Sequence, residues 1–132
     1  METFSIRTTH RQQLLDITRE IQQYISAEGF EDGLVCVFVP HTTAAITINE
    51  NADPDVVFDI LTTLTKTFPE LGTYHHREGN SDAHIKSSLV APSLMVIVEN
   101  GKLQLGTWQS IYFAEFDGPR NREYWVKMIG SK

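Results

Sequence analysis

Along this chain of 132 residues, short segments differ in how apolar and polar residues alternate, and the pattern predicts a mixture of strands and helices. Residues 3–8 alternate, with Phe4 and Ile6 on one side, as in a strand. Residues 34–39 form a continuous apolar and β-branched run, which is typical of a strand buried on both faces. Residues 44–49 alternate again and predict the next strand.

Two segments show helical periodicity. Apolar residues recur at helical spacing between residues 17 and 28, and Gly29 can end that helix. The second helix is predicted from Asp53-Pro54, which combines a side-chain cap with a proline at the first helical position, to about residue 67. Residues 11–16 stay ambiguous, because their two leucines could equally finish a strand.

The C-terminal part of the chain predicts further strands. Asn100-Gly101 separates two strand-like runs, and this dipeptide is a strong signal for a hairpin. The predicted strands cover residues 93–98, residues 102–111 with an extension over 112–116, and residues 123–129. The whole pattern predicts one compact α+β domain over residues 1–132, with a mixed or antiparallel sheet and two main helices.

Composition narrows the function classes. No apolar run approaches the roughly 20 residues that cross a bilayer, so we expect no membrane partner. The first residues lack the basic and apolar segments of a secretory signal, which predicts a cytoplasmic location. The net charge is −6 with no cluster of Lys or Arg, whereas a nucleic-acid-binding face is normally basic. We therefore expect no nucleic-acid partner.

The polar stretch 74–88 carries three of the five histidines and is the first candidate for a reactive centre. His76 and His84 are eight residues apart with Gly79 between them, which suits a turn that brings both side chains to one point. His41 follows a predicted buried strand, at a junction where a scaffold can present chemistry. We hypothesise that His41, His76 and His84 bind a divalent metal ion, although this spacing also occurs in solvated loops.

Other polar residues could complete such a site. Glu50 follows a predicted core strand and could be a general base or could orient a metal-bound histidine. Lys86 and Ser87 could hold an anion, and the guanidinium of Arg120 follows a turn where it could bind phosphate. Histidine ligands suit Zn²⁺ better than Mg²⁺ or Mn²⁺, which prefer oxygen ligands.

Several ordered motifs together resemble the YjbQ family, UPF0047, over nearly the whole chain. The motifs are His41-Thr42-Thr43-Ala44, Asn49-Glu50-Asn51, Asp53-Pro54, Gly79-Asn80, Asp82-Ala83-His84-Ile85-Lys86, Gly106-Thr107-Trp108-Gln109 and Asp117-Gly118-Pro119-Arg120. The resemblance implies an α+β subunit that assembles as a homotrimer with clefts near the subunit boundaries. It also implies a weak thiamine phosphate synthase activity, which joins a hydroxymethylpyrimidine diphosphate to a thiazole phosphate.

The family pattern includes His41, Glu50, His76, His84, Lys86, Trp108, Gln109 and Arg120, and together with the reasoning above it gives one set of expected site residues. Glu50 and His84 would be catalytic, and His41, His76 and His84 would bind the metal. Substrate or phosphate would contact Thr42, Thr43, Asn51, Lys86, Ser87, Trp108, Gln109 and Arg120.

Three functions stay open at this point. The first is a small metal-assisted enzyme that acts on a phosphorylated metabolite, and the second is a metal-dependent hydrolase that activates a bound water. The third is a trimeric protein that binds a ligand or metal without turnover. A separate observation favours association of subunits, because the C-terminal strands carry more aromatic surface than one face of a small sheet readily buries. The residues concerned are Trp108, Ile111, Tyr112, Phe113, Phe116, Tyr124 and Trp125.

Overall fold

The computed structural model describes residues 1–131, in which three helices and eight strands follow one another. The helices are α1 (Thr18–Ala27), α2 (Pro54–Thr67) and α3 (Ser81–Val90). The strands are β1 (Glu2–Arg7), β2 (Gln13–Asp16), β3 (Asp32–Phe38), β4 (Ala44–Glu50), β5 (Ser93–Glu99), β6 (Lys102–Leu103), β7 (Gln109–Glu115) and β8 (Asn121–Ser131).

Two antiparallel sheets face each other across the main core. The larger sheet has the strand order β1-β8-β3-β5-β6, and the smaller has the order β2-β7-β4. Val35 and Val126 of the larger sheet meet Ile46 and Phe113 of the smaller sheet, and Ile21 of α1 closes the same core. The predicted α+β class with antiparallel pairing is confirmed.

The smaller sheet is buried on both faces. Its second face, with Ala45 and Phe116, packs against Ala83 of α3 and Leu61 of α2. This burial corrects the interpretation of the late aromatic residues as surplus surface, because most of them fill the core of a single chain. The buried members are Ile111, Tyr112, Phe113, Phe116 and Tyr124.

The predicted reactive stretch contains a helix, α3, that the periodicity did not reveal. Most of its buried positions are polar, since Asp82, Lys86 and Ser87 are buried beside Ala83. An amphipathic helix is normally recognised in a sequence by apolar residues that recur along one face. Here charged groups are buried instead, so the pattern resembles that of a loop, and the prediction of two main helices missed one.

The single strand predicted over residues 102–111 is also wrong. The chain leaves the larger sheet after β6 and enters the smaller sheet at β7. Between them, the backbone N–H of Gly106 donates to the side chain of Gln109, and the N–H of Gln109 donates to the carbonyl of Gly106. This turn changes sheets, which an uninterrupted strand could not do.

The outer face of the larger sheet is apolar as well. Met95 is 62% exposed, Ile97 55% and Ile129 53%, and the ring of Phe38 stacks on that of Trp125 with 5.6 Å between the ring centroids. These residues lie on the neighbouring strands β5, β3 and β8. We call this set, together with Leu34 and Cys36, the outer apolar face. Across residues 1–131, every helix is too short or too polar to traverse a bilayer.

Candidate active site

The imidazole of His41 is held at the end of β3, where β8 continues beyond its neighbour. Phe38 is the last β3 residue and pairs with Trp125, so the backbone of Glu123 has no partner on β3. Nε2 of His41 lies 3.0 Å from the N–H nitrogen and 3.1 Å from the carbonyl oxygen of Glu123. The His41 ring therefore takes the place that a further β3 residue would occupy beside the backbone N–H and carbonyl of Glu123.

His41 is neutral at pH 7. Burial, helped by the positive charge of Arg122, lowers its pKa from the ordinary value of 6.5. If Nε2 carries the proton and donates to the carbonyl of Glu123, then Nδ1 has a free lone pair. A histidine that donates its other N–H to a backbone carbonyl is the usual arrangement of a metal ligand.

A cavity of about 470 Å³ brings His41 and His84 together. It lies between the β3–β4 connection, which supplies His41 and Thr42, and α3, which supplies His84 from its first half and Ser87 and Ser88 from its second. The two histidines are 43 positions apart in sequence. The prediction that they share one site is thus supported by geometry that spacing alone does not give.

The hydroxyl of Ser87 is a polar group without a partner in this cavity. It is buried, and it forms no hydrogen bond within residues 1–131. Ser88 lines the same cavity, but its hydroxyl donates to the carbonyl of His84 at 2.9 Å. Buried hydroxyls are nearly always hydrogen-bonded, so Ser87, like the side-chain oxygen of Asn80, is an exception within residues 1–131 and has capacity for one more partner.

His76 approaches the cavity from the connection between α2 and α3. Its ring lies edge-on to that of His84, with 5.5 Å between the centroids, and its Nε2 is 3.8 Å from the carboxylate of Glu78. The rings of His76 and His84 are therefore neighbours, and His41 and His84 line the same cavity. Within residues 1–131, no three His, Cys, Asp or Glu side chains are already grouped to hold one ion.

A buried ion pair supports the loop that carries His41. Arg122 donates to the carboxylate of Glu115 at 2.8 Å and to the hydroxyl of Thr43 at 2.8 Å. Burial opposes ionisation of Glu115, but hydrogen bonds from Arg122, the Asp117 backbone and Thr8 lower its pKa. Thr43 is thus a structural residue here, and its predicted contact with substrate is not favoured by the geometry.

Lys86 is likewise part of a buried network. Its ammonium donates to Asp82 and to Gln12, each at 2.7 Å, and the side chain is only 1% exposed. Arg11 reaches the same aspartate with two hydrogen bonds of 3.1 Å. The ammonium of Lys86 is thus occupied by protein partners and does not line the cavity, and its predicted contact with phosphate stays a prediction.

Arg120 lies on the surface and already has an anionic partner. Its guanidinium donates to the carboxylate of Asp117 at 2.9 Å and to the carbonyl of the same residue at 2.8 Å. The amide of Asn80 also donates to this carboxylate. A phosphate at Arg120 would therefore compete with Asp117.

Glu50 and the remaining predicted residues lie at the far end of β4. His41 precedes the first residue of this strand and Glu50 is its last, so six residue steps, or roughly 20 Å, separate the two ends. The hydroxyl of Tyr112 donates to Asn51, and the N–H of Asn51 donates to the carbonyl of Trp108. Gln109 belongs to the same group because it pairs with Glu50. A single chain does not bring this group to the histidines, and its predicted roles stay predictions.

Sequence reasoning missed the supporting charges, although a signal was present. Arg122 occupies an inward-facing position of β8, in line with the buried residues Tyr124 and Val126. Glu115 follows the run Ile111 to Ala114 in a strand that is buried at six of its seven positions. A charge at an inward-facing strand position requires a buried partner of opposite sign, so these two residues could have been paired from the pattern.

Comparisons with known proteins agree with this architecture. The sequence model described as "UPF0047 protein YjbQ-like" matches residues 2–131. A UPF0047 protein of Methanocaldococcus jannaschii is 55% identical over 129 residues, which cover 98% of this chain and 94% of that protein. The UPF0047 protein YugU of Bacillus subtilis is 52% identical and is covered to 99%.

Solved structures of similar proteins share the fold. An uncharacterised conserved protein of the YjbQ/UPF0047 family from Clostridium acetobutylicum has a TM-score of 0.96 at 56% identity, covering 98% of this chain and all of that chain. A protein of unknown function from Sulfolobus solfataricus has a TM-score of 0.94 at 32% identity, with 98% and 96% covered. The chain belongs to the YjbQ/UPF0047 family.

Proposed function

We propose that this chain is a small metal-assisted enzyme that acts on a phosphorylated metabolite. The cavity shared by His41 and His84 carries the proposal, because it combines two imidazoles with the unpartnered hydroxyl of Ser87. A plain solvated surface has no reason to bury a hydroxyl without a partner. Thr42 is exposed at the rim of the same cavity, where it could contact a substrate.

The residues around the cavity fit a divalent cation. His41, His84 and His76 would hold it, and imidazole nitrogens favour Zn²⁺ over Mg²⁺ or Mn²⁺. The C-terminal half of α3 lines the cavity, and the negative end of a helix dipole stabilises a cation. When bound, such an ion supplies Lewis acidity to a phosphoryl oxygen or to a water molecule.

The chain's own groups would orient the substrate. The hydroxyl of Ser87 can donate to a substrate oxygen, and the Glu115–Arg122 pair holds the His41 loop in place through Thr43. In this scheme Lys86 and Asp82 hold α3 against the segment that precedes β2, through their hydrogen bonds with Gln12 and Arg11. The thiamine phosphate synthase activity is one reaction of this class, and it would require two substrates and the release of diphosphate.

The test combines metal content with turnover. We expect purified protein to bind about one zinc ion per chain and to transform at least one member of a panel of phosphate esters and thiamine precursors. His84→Ala should lose both properties. His75→Ala is the matched control, because His75 is an exposed neighbour without a hydrogen bond within residues 1–131. Full zinc stoichiometry and full activity in His84→Ala would show that the proposed site is wrong.

The products of the reaction distinguish the metal-dependent hydrolase from the synthase. A hydrolase needs water as the only second reactant and gives a free alcohol and phosphate, whereas a synthase gives diphosphate and a joined product. Tight zinc binding without turnover on either substrate class would instead favour a binding protein.

We also propose that the protein is a homotrimer that buries the outer apolar face. An antiparallel sheet that faces water on one side normally alternates apolar and polar residues, but β3, β5 and the C-terminal part of β8 also carry exposed apolar residues on the outer side of the larger sheet. Light scattering should give three times the 15.0 kDa of one chain. Met95→Glu should reduce this mass, while Leu71→Glu, a change at a more exposed residue away from this face, should not. Wild type at the mass of one chain would refute the assembly.

A further inference from the structure

A second cavity lies on the other side of His41. It encloses about 510 Å³ and is lined by residues of β1 and β8 together with His41. Ser5 and Arg7 of β1 pair with Glu123 and Asn121 of β8, so these four side chains share the outer face of the larger sheet. The imidazole of His41 therefore separates this space from the cavity that contains His84.

Arg7 is held in this cavity without being neutralised. Its guanidinium donates to the side-chain oxygen of Asn121 at 2.7 Å in an exposed hydrogen bond, which orients it toward β8. It forms no ion pair within residues 1–131, whereas Arg11, Arg120 and Arg122 all do. A guanidinium has five N–H donors, so most of those of Arg7 remain available to a ligand.

The positive charge available to a ligand in this cavity is that of Arg7, because Arg122, which also lines it, is paired with the buried Glu115. Glu123 is the one acidic lining residue among the described residues. The carboxylate of Glu123 accepts the indole N–H of Trp125 at 3.0 Å, which holds it on the Trp125 side. By contrast, the cavity that contains Arg19 is also lined by two carboxylates, those of Asp16 and Glu20.

We propose that this cavity is an anion subsite in which Arg7, with Ser5 and Asn121, binds the phosphate of the substrate. A planar guanidinium matches the oxygens of a phosphate, and an anchored one loses less conformational entropy on binding. The phosphate would lie on one side of His41 and the reacting part of the metabolite on the other, beside His84. The inference rests on the proposed function and names the class of substrate as a phosphate ester.

The subsite also resolves a difficulty in the first cavity. The helix end that favours a cation there disfavours a phosphate, and the predicted phosphate contacts Lys86 and Arg120 are already paired. Placing the anion at Arg7 separates the positive ligand from the negative one. The two charges then lie in two cavities that His41 lines from either side.

Isothermal titration calorimetry with inorganic phosphate and pyrophosphate, on the purified chain without added metal, tests the subsite directly. We expect Arg7→Gln to weaken binding of both anions by roughly tenfold or more. Arg7→Lys, which keeps the charge and loses the fork, should show a smaller loss. Arg19→Gln is the matched control and should bind as wild type does, and so should Arg120→Gln.

Amide NMR spectra show whether each variant is folded and whether phosphate shifts the signals of Ser5 and Asn121. Wild type that binds neither anion, equal affinity in wild type, Arg7→Gln and Arg7→Lys, or a loss found in Arg120→Gln instead would overturn the subsite. These measurements need neither metal nor turnover. A failure of the zinc and activity tests would therefore leave the anion result standing, and the reverse also holds.

Discussion

The Asp82–Lys86 pair offers a direct test of the structure, because its removal leaves a charge inside the chain. In Asp82→Asn the ammonium of Lys86, 1% exposed, loses its anionic partner. Removing one member of a buried pair costs about 3–5 kcal/mol. Arg11, the other partner of Asp82, is 30% exposed and still bonded to Glu70, so it can turn to water and adds little. We expect a loss of about 3 kcal/mol.

Urea unfolding followed by circular dichroism measures this loss, and the melting temperature should fall by roughly 10 °C. Arg120→Gln is the comparison, because it removes a pair whose arginine is 52% exposed and should cost at most about 1 kcal/mol. The double variant Asp82→Leu with Lys86→Met should recover most of the stability, since an apolar replacement of a buried pair is often neutral. The reasoning is refuted if Asp82→Asn costs less than about 1 kcal/mol, or if the double variant is no more stable than the single one.

Three further predictions concern stability. The lowered pKa of Glu115 in the folded chain means that the unfolded state binds more protons, so stability is fully present above the ordinary value of 4.5 and falls as the pH drops below it. Glu115→Gln should flatten this acid limb in urea titrations, and an unchanged slope would contradict the assignment. Ser87→Ala removes a hydroxyl that lacks a partner and should change the free energy of unfolding by no more than Ser88→Ala does, within about 0.5 kcal/mol. Gly33→Ala places a methyl group 2.2 Å from a backbone oxygen at φ +148° and should lower the free energy of unfolding by at least about 3 kcal/mol. Gly79→Ala, at φ +82° in open space, should lower it by about 1 kcal/mol in thermal unfolding. Equal losses in the two variants would be evidence against this packing.

The sequence alone was sufficient for the elements that depend on local signals. The alternation over residues 44–49, the Asp53-Pro54 helix start and the Asn100-Gly101 hairpin each depend on neighbours in the chain, and β4, α2 and the β5–β6 hairpin are found there. The ordered motifs were also sufficient to identify the family. His41 and His84 were predicted as partners because each belongs to one of those motifs, and not because their spacing required it.

The tertiary structure alone decided helix α3 and the partners of the charged side chains, because these depend on contacts between groups distant in sequence. Helix α3 escaped the pattern because its buried side holds Asp82 and Lys86, which also bond to Arg11 and Gln12, 71 and 74 positions away in the chain. The same principle explains why Lys86 is buried among protein partners, and why Arg7, which no sequence signal distinguished, has a hydrogen bond to Asn121 but no ion pair within residues 1–131. Hydrophobic periodicity follows from local geometry, whereas the pairing of buried charges follows from contacts between residues far apart in the chain.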